Sequence, residues 1–364
     1  MLFHLFYPLR AKFAFFNVFR YPSFRTLLAA VLAFFIVYYT IPWFIRKMSV
    51  KGIGQPIRDD GPETHRVKSG TPTMGGIVIL LAIVLPTLLV GNLLNYYLWI
   101  VISVTTLFGL IGLADDMTKV RGKSSKGIPG KLRLALEFLI AGSAIVCLML
   151  CLNFDSSISV PFVKTIIFNP NLSWFYPVFA AVVIVGTANA VNLTDGLDGL
   201  AIGPSIISAM TFLLLAYGTG TVIHGFNIAE YLKIPHVPGV EELAVVCGAL
   251  VGAGIGFLWY NSYPAEIFMG DVGSLSLGGA LGTMAVLTKM EVLSILINGL
   301  FFVEAVSVIL QVASFQTTGK RIFRMAPIHH HFEKKGWAEP KVIVRFWIIA
   351  ALLSVAAIAT LKLR

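Results

Sequence analysis

Charged side chains are scarce in this chain. Lys, Arg, Asp and Glu together make up 13% of its 364 residues, whereas hydrophobic residues make up 57%. A soluble domain carries about twice that share of charge, so a soluble protein is excluded. Regular alternation of polar and apolar residues is missing as well, because the apolar runs are continuous, and this excludes an outer-membrane barrel. The composition therefore predicts an all-α polytopic membrane protein built as a single helical bundle.

Cysteine is also rare. The three cysteines, Cys147, Cys151 and Cys247, all lie in apolar runs, and their number is odd. This pattern indicates neither a disulfide framework nor a zinc site. The first twenty residues lack the uninterrupted apolar core of a cleavable signal peptide, because proline and basic residues break it. Their many phenylalanines predict an interfacial segment over residues 1–23.

Long apolar runs are what the chain has in abundance. Each run is close to the roughly 20 residues that a bilayer crossing needs. In the seventh run, Gly248, Gly252 and Gly256 recur at four-residue spacing, which predicts close helix packing. We predict about ten transmembrane helices in one integral membrane domain, 1–364, at approximately 24–45, 74–94, 96–114, 134–152, 174–192, 199–217, 242–260, 273–288, 292–315 and 343–361.

Lys and Arg are concentrated in the loops after the first, third and ninth of these spans. Basic residues favour the cytoplasmic side, so odd-numbered spans are predicted to end in the cytoplasm and both termini to be periplasmic. The basic N-terminal segment argues against this orientation, but the three later loops outweigh it. The net charge of +10 is explained by this asymmetry, by attraction to anionic membrane lipid and by a phosphate-bearing substrate. Nucleic acid is therefore not expected as a partner.

Nearly every polar cluster then falls on one side of the membrane. A one-sided cluster is typical of an enzyme that acts on a cytoplasmic substrate at the membrane surface. A transporter or channel, the alternative from a different class, needs polar groups along the depth of the membrane. Only Glu137 and Glu304 come close to that, and each is a lone residue in its span. The five predicted cytoplasmic loops are 46–73, 115–133, 193–198, 261–272 and 316–342.

Acidic residues mark three of these loops. Asp115 and Asp116 follow an apolar run of bilayer length, where two carboxylates could hold a hard cation such as Mg²⁺ or merely end the helix. Asp195 and Asp198 lie three residues apart in a tight turn, so on a helical turn they share a face. Asp271 opens the eighth span, where a carboxylate also suits a helix N-terminus.

Other polar residues in the loops allow both a functional and a structural interpretation. Lys68 and Thr73 could contact phosphate or a nucleotide, or could belong to a solvated loop and a helix cap. Phe268 could stack on a base or lie at the membrane interface. The consecutive histidines at 329–331 lack zinc spacing, and their imidazoles could donate to phosphate oxygens.

Five stretches of the chain together resemble one family, the polyprenyl-phosphate N-acetylhexosamine-1-phosphate transferases. They occur in order on the same predicted side of the membrane, and the chain is similar to the branch of the family that uses muramoyl-pentapeptide. The stretches are 71–76 (TPTMGG), 115–116 (DD), 192–201 (NLTDGLDGLA), 268–274 (FMGDVGS) and 325–331 (MAPIHHH).

The resemblance implies ten membrane spans in the inner membrane of a bacterium, dependence on Mg²⁺ and a homodimer. It also implies that undecaprenyl phosphate attacks UDP-MurNAc-pentapeptide, which gives lipid I and UMP. The alternative within the family is a sister enzyme that uses UDP-GlcNAc for another cell-envelope polymer. The segment 327–331 (PIHHH) fits the muramoyl-pentapeptide branch better.

The same motifs imply roles for single residues. Asp115, Asp116 and Asp271 match the catalytic acids of the family, and Asp271 matches its Mg²⁺ ligand. Further positions match the residues that bind substrate, around the nucleotide-sugar and its phosphates. These are Lys68, Thr73, Lys119, Lys131, Asn192, Asp195, Asp198, Asn261, Phe268, His329, His330 and His331.

Two mechanisms are open to such an enzyme. In one, Asp115 or Asp116 deprotonates the lipid phosphate, which attacks directly; in the other, an Asp attacks first and forms a phospho-enzyme. A phosphate monoester has a second pKa near 6, so roughly 90% of it is already deprotonated at pH 7. A general base would gain little, and direct attack is therefore the favoured hypothesis, with positioning and metal charge supplying most of the acceleration.

Overall fold

The computed structural model of the protein describes residues 1–50, 70–122, 127–161, 169–223 and 225–361. These residues are mostly helical, with one short antiparallel hairpin in which β1 (Val222–Ile223) pairs with β2 (Phe226–Asn227). The helices are α1 (Leu2–Phe6), α2 (Pro22–Val50), α3 (Gly76–Val90), α4 (Tyr96–Gly122), α5 (Gly130–Leu152), α6 (Tyr176–Thr194), α7 (Ile202–Gly220), α8 (Ile228–Leu232), α9 (Leu243–Asn261), α10 (Gly270–Leu287), α11 (Ser294–Ile297), α12 (Gly299–Thr318), α13 (Ile328–Glu333) and α14 (Glu339–Thr360).

The all-α polytopic class is confirmed. Within the described ranges, eight helices are long and apolar enough to cross a membrane, namely α2, α4, α5, α6, α7, α9, α12 and α14. Two predicted spans correspond to helices outside that set: α3 has 15 residues, and α10 has 18 residues and carries serine, glycine and an aspartate. The predicted span 292–315 is interrupted, because α11 and α12 meet at Asn298. The count of ten crossings stays a prediction.

One boundary differs in a way that matters for the site. The sequence places a loop at residues 115–133, but α4 continues to Gly122 and α5 begins at Gly130. Asp115 and Asp116 therefore lie on the last turns of a helix and not in a loop. Basic residues such as Lys119 suit the end of a helix, where the backbone carbonyls are free to interact with positive charge.

Helix α10 lies at the centre of the bundle, and all of its residues from Val272 to Leu287 are buried. Glycine allows α3 and α4 to approach it closely. A Cβ at Gly76 would lie 2.1 Å from the backbone nitrogen of Gly273, and a Cβ at Gly112 would lie 2.2 Å from the carbonyl oxygen of Asp271. The second crossing brings the start of α10 against the acidic end of α4.

The glycine spacing in α9 has the packing role that was predicted from it. A Cβ at Gly252 would lie 1.9 Å from the carbonyl oxygen of Ala30 on α2, and one at Gly248 would lie 2.5 Å from the carbonyl oxygen of Thr26. Only hydrogen fits at such positions, so the two helices are in backbone contact. This contact fixes the carboxyl end of α9, where Asn261 lies.

Polar contacts concentrate at two ends of the bundle. At one end the carboxyl ends of α4, α6 and α9 meet the amino ends of α3, α5, α7 and α10, as the bond from Gly199 N to Asn261 Oδ1 (3.1 Å) illustrates. At the other end Arg25 on α2 forms a buried, bidentate pair with Glu242 next to α9. There Lys289 Nζ also donates to the carbonyl oxygen of Asp155 (2.8 Å).

Candidate active site

Three carboxylates converge at the first of these ends. Asp115 and Asp116 come from α4 and Asp271 from the first turn of α10, and one oxygen from each lies within 4.8 Å of the others. Asp115 and Asp116 are 2% and 6% exposed, so these charges are largely removed from water. Burying like charges together is unfavourable unless cations balance them.

The arrangement is supported by the backbone. Asp116 Oδ2 accepts from the amide of Val272 (3.2 Å), and Asp115 Oδ1 accepts from the amide of Ile128 (2.8 Å). Gly127 and Gly270 allow these approaches, because a Cβ at either residue would lie less than 3 Å from a carboxylate oxygen of Asp115 or Asp116. The two acids are thus fixed by the start of α10 and by the segment before α5.

Lys119 lies between the acids. Its Nζ is 2.6 Å from Asp115 Oδ2 and 2.7 Å from Asp271 Oδ2. The side chain is 23% exposed and so remains accessible from outside the cluster. An ammonium in this position offsets part of the repulsion between the carboxylates and leaves a cation within reach of an anionic ligand.

Asp271 does not cap its own helix, although that was one interpretation of its position. The N-cap residue of α10 is Met269, and Asp271 lies inside the first turn of the helix. Instead Oδ1 accepts from Asn192 Nδ2 (2.9 Å), which also donates to Ser274 Oγ (2.8 Å), and Oδ2 lies 3.6 Å from Arg133 Nη1. The side chain is therefore oriented by three different helices, α4, α5 and α6.

The donor set of this cluster fits a hard divalent cation. Mg²⁺ takes oxygen ligands at about 2.0–2.1 Å, so two ligands on opposite sides of the ion lie about 4 Å apart. The three carboxylates offer oxygens within 4.8 Å of one another, close to that span. A diphosphate at a cation held here would also lie beside Lys119.

The turn after α6 lies against the loop after α9. Asn261 joins them, because its Oδ1 accepts from the amide of Gly199 (3.1 Å) and its Nδ2 donates to the carbonyl of Ile267 (2.8 Å). Asp198 Oδ2 accepts from the amide of Ala265 (3.0 Å). Asn261 and Asp198 are buried, so in this structure both residues hold the two loops together.

Asp195 lies in surroundings that favour its protonated form. Burial first, and then the negative charges of Asp271, Asp116 and Asp198, together raise the pKa of Asp195 to about 8. A carboxyl with such a pKa is largely protonated at neutral pH and can donate a hydrogen bond. The turn after α6 therefore presents a neutral acid towards the cluster.

Thr73 and Phe268 lie on adjacent segments. The amide of Phe268 donates to the carbonyl of Pro72 (2.8 Å), and the amide of Gly75 donates back to the carbonyl of Phe268 (2.9 Å). Thr73 is 5% exposed and Phe268 is half-buried. Lys68, which was predicted beside them, lies outside the described residues.

The three histidines point in different directions. His329 is fully buried, its Nδ1 is 3.1 Å from Glu304 Oε2, and its Nε2 faces Gly196, where a Cβ would lie 2.4 Å away. His330 Nδ1 lies 2.6 Å from Glu333 Oε2, and His331 Nδ1 accepts from the amide of Arg324 (3.0 Å). His329 therefore lies under the turn after α6, and Glu304 is not a lone acid.

Two predicted phosphate ligands have contrasting positions. Lys119 is part of the acid cluster, whereas Lys131 is exposed on the first turn of α5. Sequence reasoning missed Arg133 beside Asp271, together with its partners Glu137 and Asn189. The signal that could have found them is the four-residue spacing of Arg133 and Glu137, which places opposite charges on one helix face.

The chain is similar to known proteins along its whole length. The glycosyl transferase family 4 model matches residues 98–289, and phospho-N-acetylmuramoyl-pentapeptide-transferase signature 1 matches residues 68–80. The phospho-N-acetylmuramoyl-pentapeptide-transferases of Syntrophus aciditrophicus, Pelobacter propionicus and an Anaeromyxobacter species (strain K) are 58%, 54% and 51% identical to the chain. In each case 100% of both chains is covered. The family model spans all three acids of the cluster.

Proposed function

The chain belongs to glycosyl transferase family 4 and, within it, to the phospho-N-acetylmuramoyl-pentapeptide transferases, and from this premise we propose that it makes lipid I. It transfers phospho-N-acetylmuramoyl-pentapeptide from UDP-MurNAc-pentapeptide to undecaprenyl phosphate and releases UMP. The observation that carries the proposal is the convergence of Asp115, Asp116 and Asp271 around Lys119. Full-length relatives with this activity in their names favour it over transfer from UDP-GlcNAc.

Mg²⁺ is the cation proposed for the acid cluster, with Asp271 as a ligand and Asp115 and Asp116 beside it. The support is chemical, since three carboxylates within 4.8 Å supply the hard oxygen donors that Mg²⁺ prefers. When bound, the ion supplies positive charge to the diphosphate and to the leaving UMP. The dependence on added Mg²⁺ is part of the test below.

The proposed reaction is a direct displacement. A phosphate oxygen of undecaprenyl phosphate forms a bond to the phosphorus that carries the sugar, and the bond from that phosphorus to the bridging oxygen of UMP breaks. The electron pair leaves with UMP. Lys119 neutralises negative charge on the phosphates, while Asn192 holds Asp271 in position. Because the lipid phosphate is mostly deprotonated at pH 7, Asp115 and Asp116 position charge and do not need to remove a proton.

The remaining predicted site residues surround the nucleotide-sugar in this proposal. Phe268 is half-buried beside the acid cluster and offers an aromatic face for the uracil. Asp195, protonated at neutral pH, can donate to the substrate, and Asn261 and Asp198 shape the surface by joining its two loops. Lys68 and Thr73 keep their predicted places around the nucleotide-sugar, and Lys131 and the histidines keep their predicted link to phosphate binding or activity.

The membrane placement is proposed on the same basis. We infer ten crossings of a bacterial inner membrane, with the acid cluster at the cytoplasmic surface and both termini in the periplasm. In support, helices that end at the acid cluster alternate along the chain with helices that begin there. The loops richest in Lys and Arg are next to these helix ends in the sequence. A homodimer, expected from the family, remains a prediction.

The test is an assay of UMP release by the purified full-length chain. We expect UMP only when UDP-MurNAc-pentapeptide, undecaprenyl phosphate and Mg²⁺ are all present, together with a lipid product that carries the pentapeptide. UDP-GlcNAc in place of the muramoyl substrate is the comparison, and faster turnover with it would replace our proposal by the sister activity. UMP release without lipid phosphate would indicate a phospho-enzyme in place of direct attack.

A further inference from the structure

A second polar cluster adjoins Asp271 through Arg133, whose Nη1 lies 3.6 Å from Asp271 Oδ2. It consists of Arg133 and Glu137, one turn apart on α5, and Asn189 on α6. Glu137 is 0% exposed. None of the five motifs of the family includes these three residues, and the transfer reaction as described above uses none of them.

The three side chains form a closed set of contacts. Asn189 bridges the two charges, because its Oδ1 accepts from Arg133 Nη2 (3.1 Å) and its Nδ2 donates to Glu137 Oε2 (2.5 Å). Arg133 Nε faces Glu137 Oε1 at 3.6 Å, and within the described part of the chain neither of these two atoms has a hydrogen bond. The guanidinium is thus held along one edge by Glu137 and Asn189.

The free edge of that guanidinium faces the acid cluster. Arg133 Nη1 lies 3.6 Å from Asp271 Oδ2, the same oxygen that Lys119 contacts. The Arg133 side chain is 22% exposed, so it has room to turn away from Asp271 if nothing restrains it. A planar guanidinium contacts two partners at once only when its orientation is fixed. The buried carboxylate of Glu137 supplies that restraint.

We propose that Glu137 is a positioning residue for the transfer reaction, acting through Arg133 on Asp271. This inference rests on the proposed function, because it assumes that Asp271 belongs to the catalytic centre. Glu137 itself does not contact substrate. It fixes the direction of the positive charge beside Asp271, and so it sets the geometry in which the carboxylate meets the phosphates.

A purely structural ion pair is the competing explanation, and the molecule contains a matched control. Arg25 and Glu242 also form a buried arginine–glutamate pair, but they lie at the opposite end of the bundle. Removing one partner of a buried pair destabilises a protein wherever it lies. A loss of stability without a loss of turnover is therefore expected for E242Q, whereas E137Q is expected to lower turnover.

The experiment is a double-mutant cycle on the purified full-length chain with Arg133→Met and Glu137→Gln, measured by UMP release. We expect E137Q to lower kcat by about 10- to 100-fold, as is typical for residues that orient metal-site ligands. The KM for UDP-MurNAc-pentapeptide should change less than about twofold. In the R133M background, E137Q should lower kcat by less than about a further twofold, because the effects of coupled residues are not additive.

A second double variant is a control for misfolding caused by an unpaired buried charge. R133M/E137M leaves neither charge buried and unpaired, so it should fold, and its kcat should match that of R133M within about twofold. Three outcomes would overturn the inference. They are a kcat in either double variant that is much lower than that of R133M, an unchanged kcat in E137Q, and a loss of kcat in E242Q equal to that in E137Q. If the wild-type chain releases no UMP, the proposed function itself is wrong. If the wild type is active but the variants do not behave as expected, only the positioning role of Glu137 is wrong.

Discussion

Asp271 is held in place by side chains from three other helices. It is oriented by Asn192, Lys119 and Arg133, and its backbone carbonyl touches α4 at Gly112. A side chain held by so many partners is preorganised for one task, and preorganised charge is the main source of acceleration in phosphoryl transfer. Its loss should therefore affect catalysis far more than stability.

We predict that Asp271→Ala lowers UMP release by about 1,000-fold or more, since it removes a carboxylate on which charge and position both depend. The variant should still insert and purify like the wild type. Asp155→Ala is the control, because Asp155 lies at the opposite end of the bundle and contacts Ser157 and Lys289. Turnover by D155A should stay near the wild-type value; a dead D155A would mean that the reaction takes place at that end.

Asp195 provides a prediction for the dependence of stability on pH. Its pKa is about 8 in the folded chain and about 3.9 when unfolded. Between these values the folded state binds more protons, so the free energy of unfolding falls as pH rises through this window. Without Mg²⁺, the melting temperature should therefore fall between about pH 4 and pH 8 and level off above that, and D195N should show a flatter profile. Parallel profiles for the two proteins would contradict this assignment.

Single acids could be identified from the sequence, but their partners could not. Asp115, Asp116 and Asp271 stand out because a carboxylate at the end of an apolar run is costly unless it has a role. Glu137 also stands out as a lone acid in its predicted span, and its four-residue spacing from Arg133 relates the two, but neither feature connects them to Asp271. Their contact with Asp271 depends on how α5, α6 and α10 pack, and a single sequence does not specify that packing.

At the scale of helices, the site depends on contacts that only glycine permits. The carbonyl of Asp271 lies where a Cβ of residue 112 would be, and the start of α10 is equally close to α3 at Gly76. The sequence indicated close packing from the regular spacing in α9. Around Gly112 the sequence has only Gly109 three residues earlier and no regular four-residue repeat, so this crossing could not be predicted.

We predict that Gly112→Ala destabilises the protein and lowers turnover. The added methyl meets a backbone oxygen that cannot move without α10, and overpacking of this kind costs about 1–3 kcal/mol. Gly142→Ala on α5 is the matched control, since a Cβ there meets nothing within 4 Å. Alanine favours a helix over glycine by about 1 kcal/mol, so G142A should be neutral or stabilising. The melting temperature and the rate of UMP release are measured for both variants. Equal values for G112A and G142A would refute the packing argument.

The molecule as a whole has two polar ends with different characters. One end collects carboxylates, amides and histidines from several helices, and the other contains compact ion-pair networks around Glu242 and Lys289. Composition alone predicted a helical membrane protein, because apolar runs of bilayer length leave few other solutions. Composition could not predict the break between α11 and α12 at Asn298. Such a break depends on whether neighbouring helices can bond the freed backbone groups, and composition does not specify those neighbours.

The proposed sidedness leads to a labelling prediction. Ser262 is exposed beside the acid cluster, whereas Glu230 is exposed on α8, beyond the far end of α7. If the cluster faces the cytoplasm, a membrane-impermeant maleimide should label E230C in intact spheroplasts and should label S262C only after permeabilisation. Both variants are made with the three native cysteines replaced by serine. The physical reason is that Lys and Arg remain on the cytoplasmic side during insertion, and the loops that flank the cluster hold most of them. Labelling of S262C in intact spheroplasts would place the acids in the periplasm, where no UDP-linked substrate of the cytoplasm could reach them.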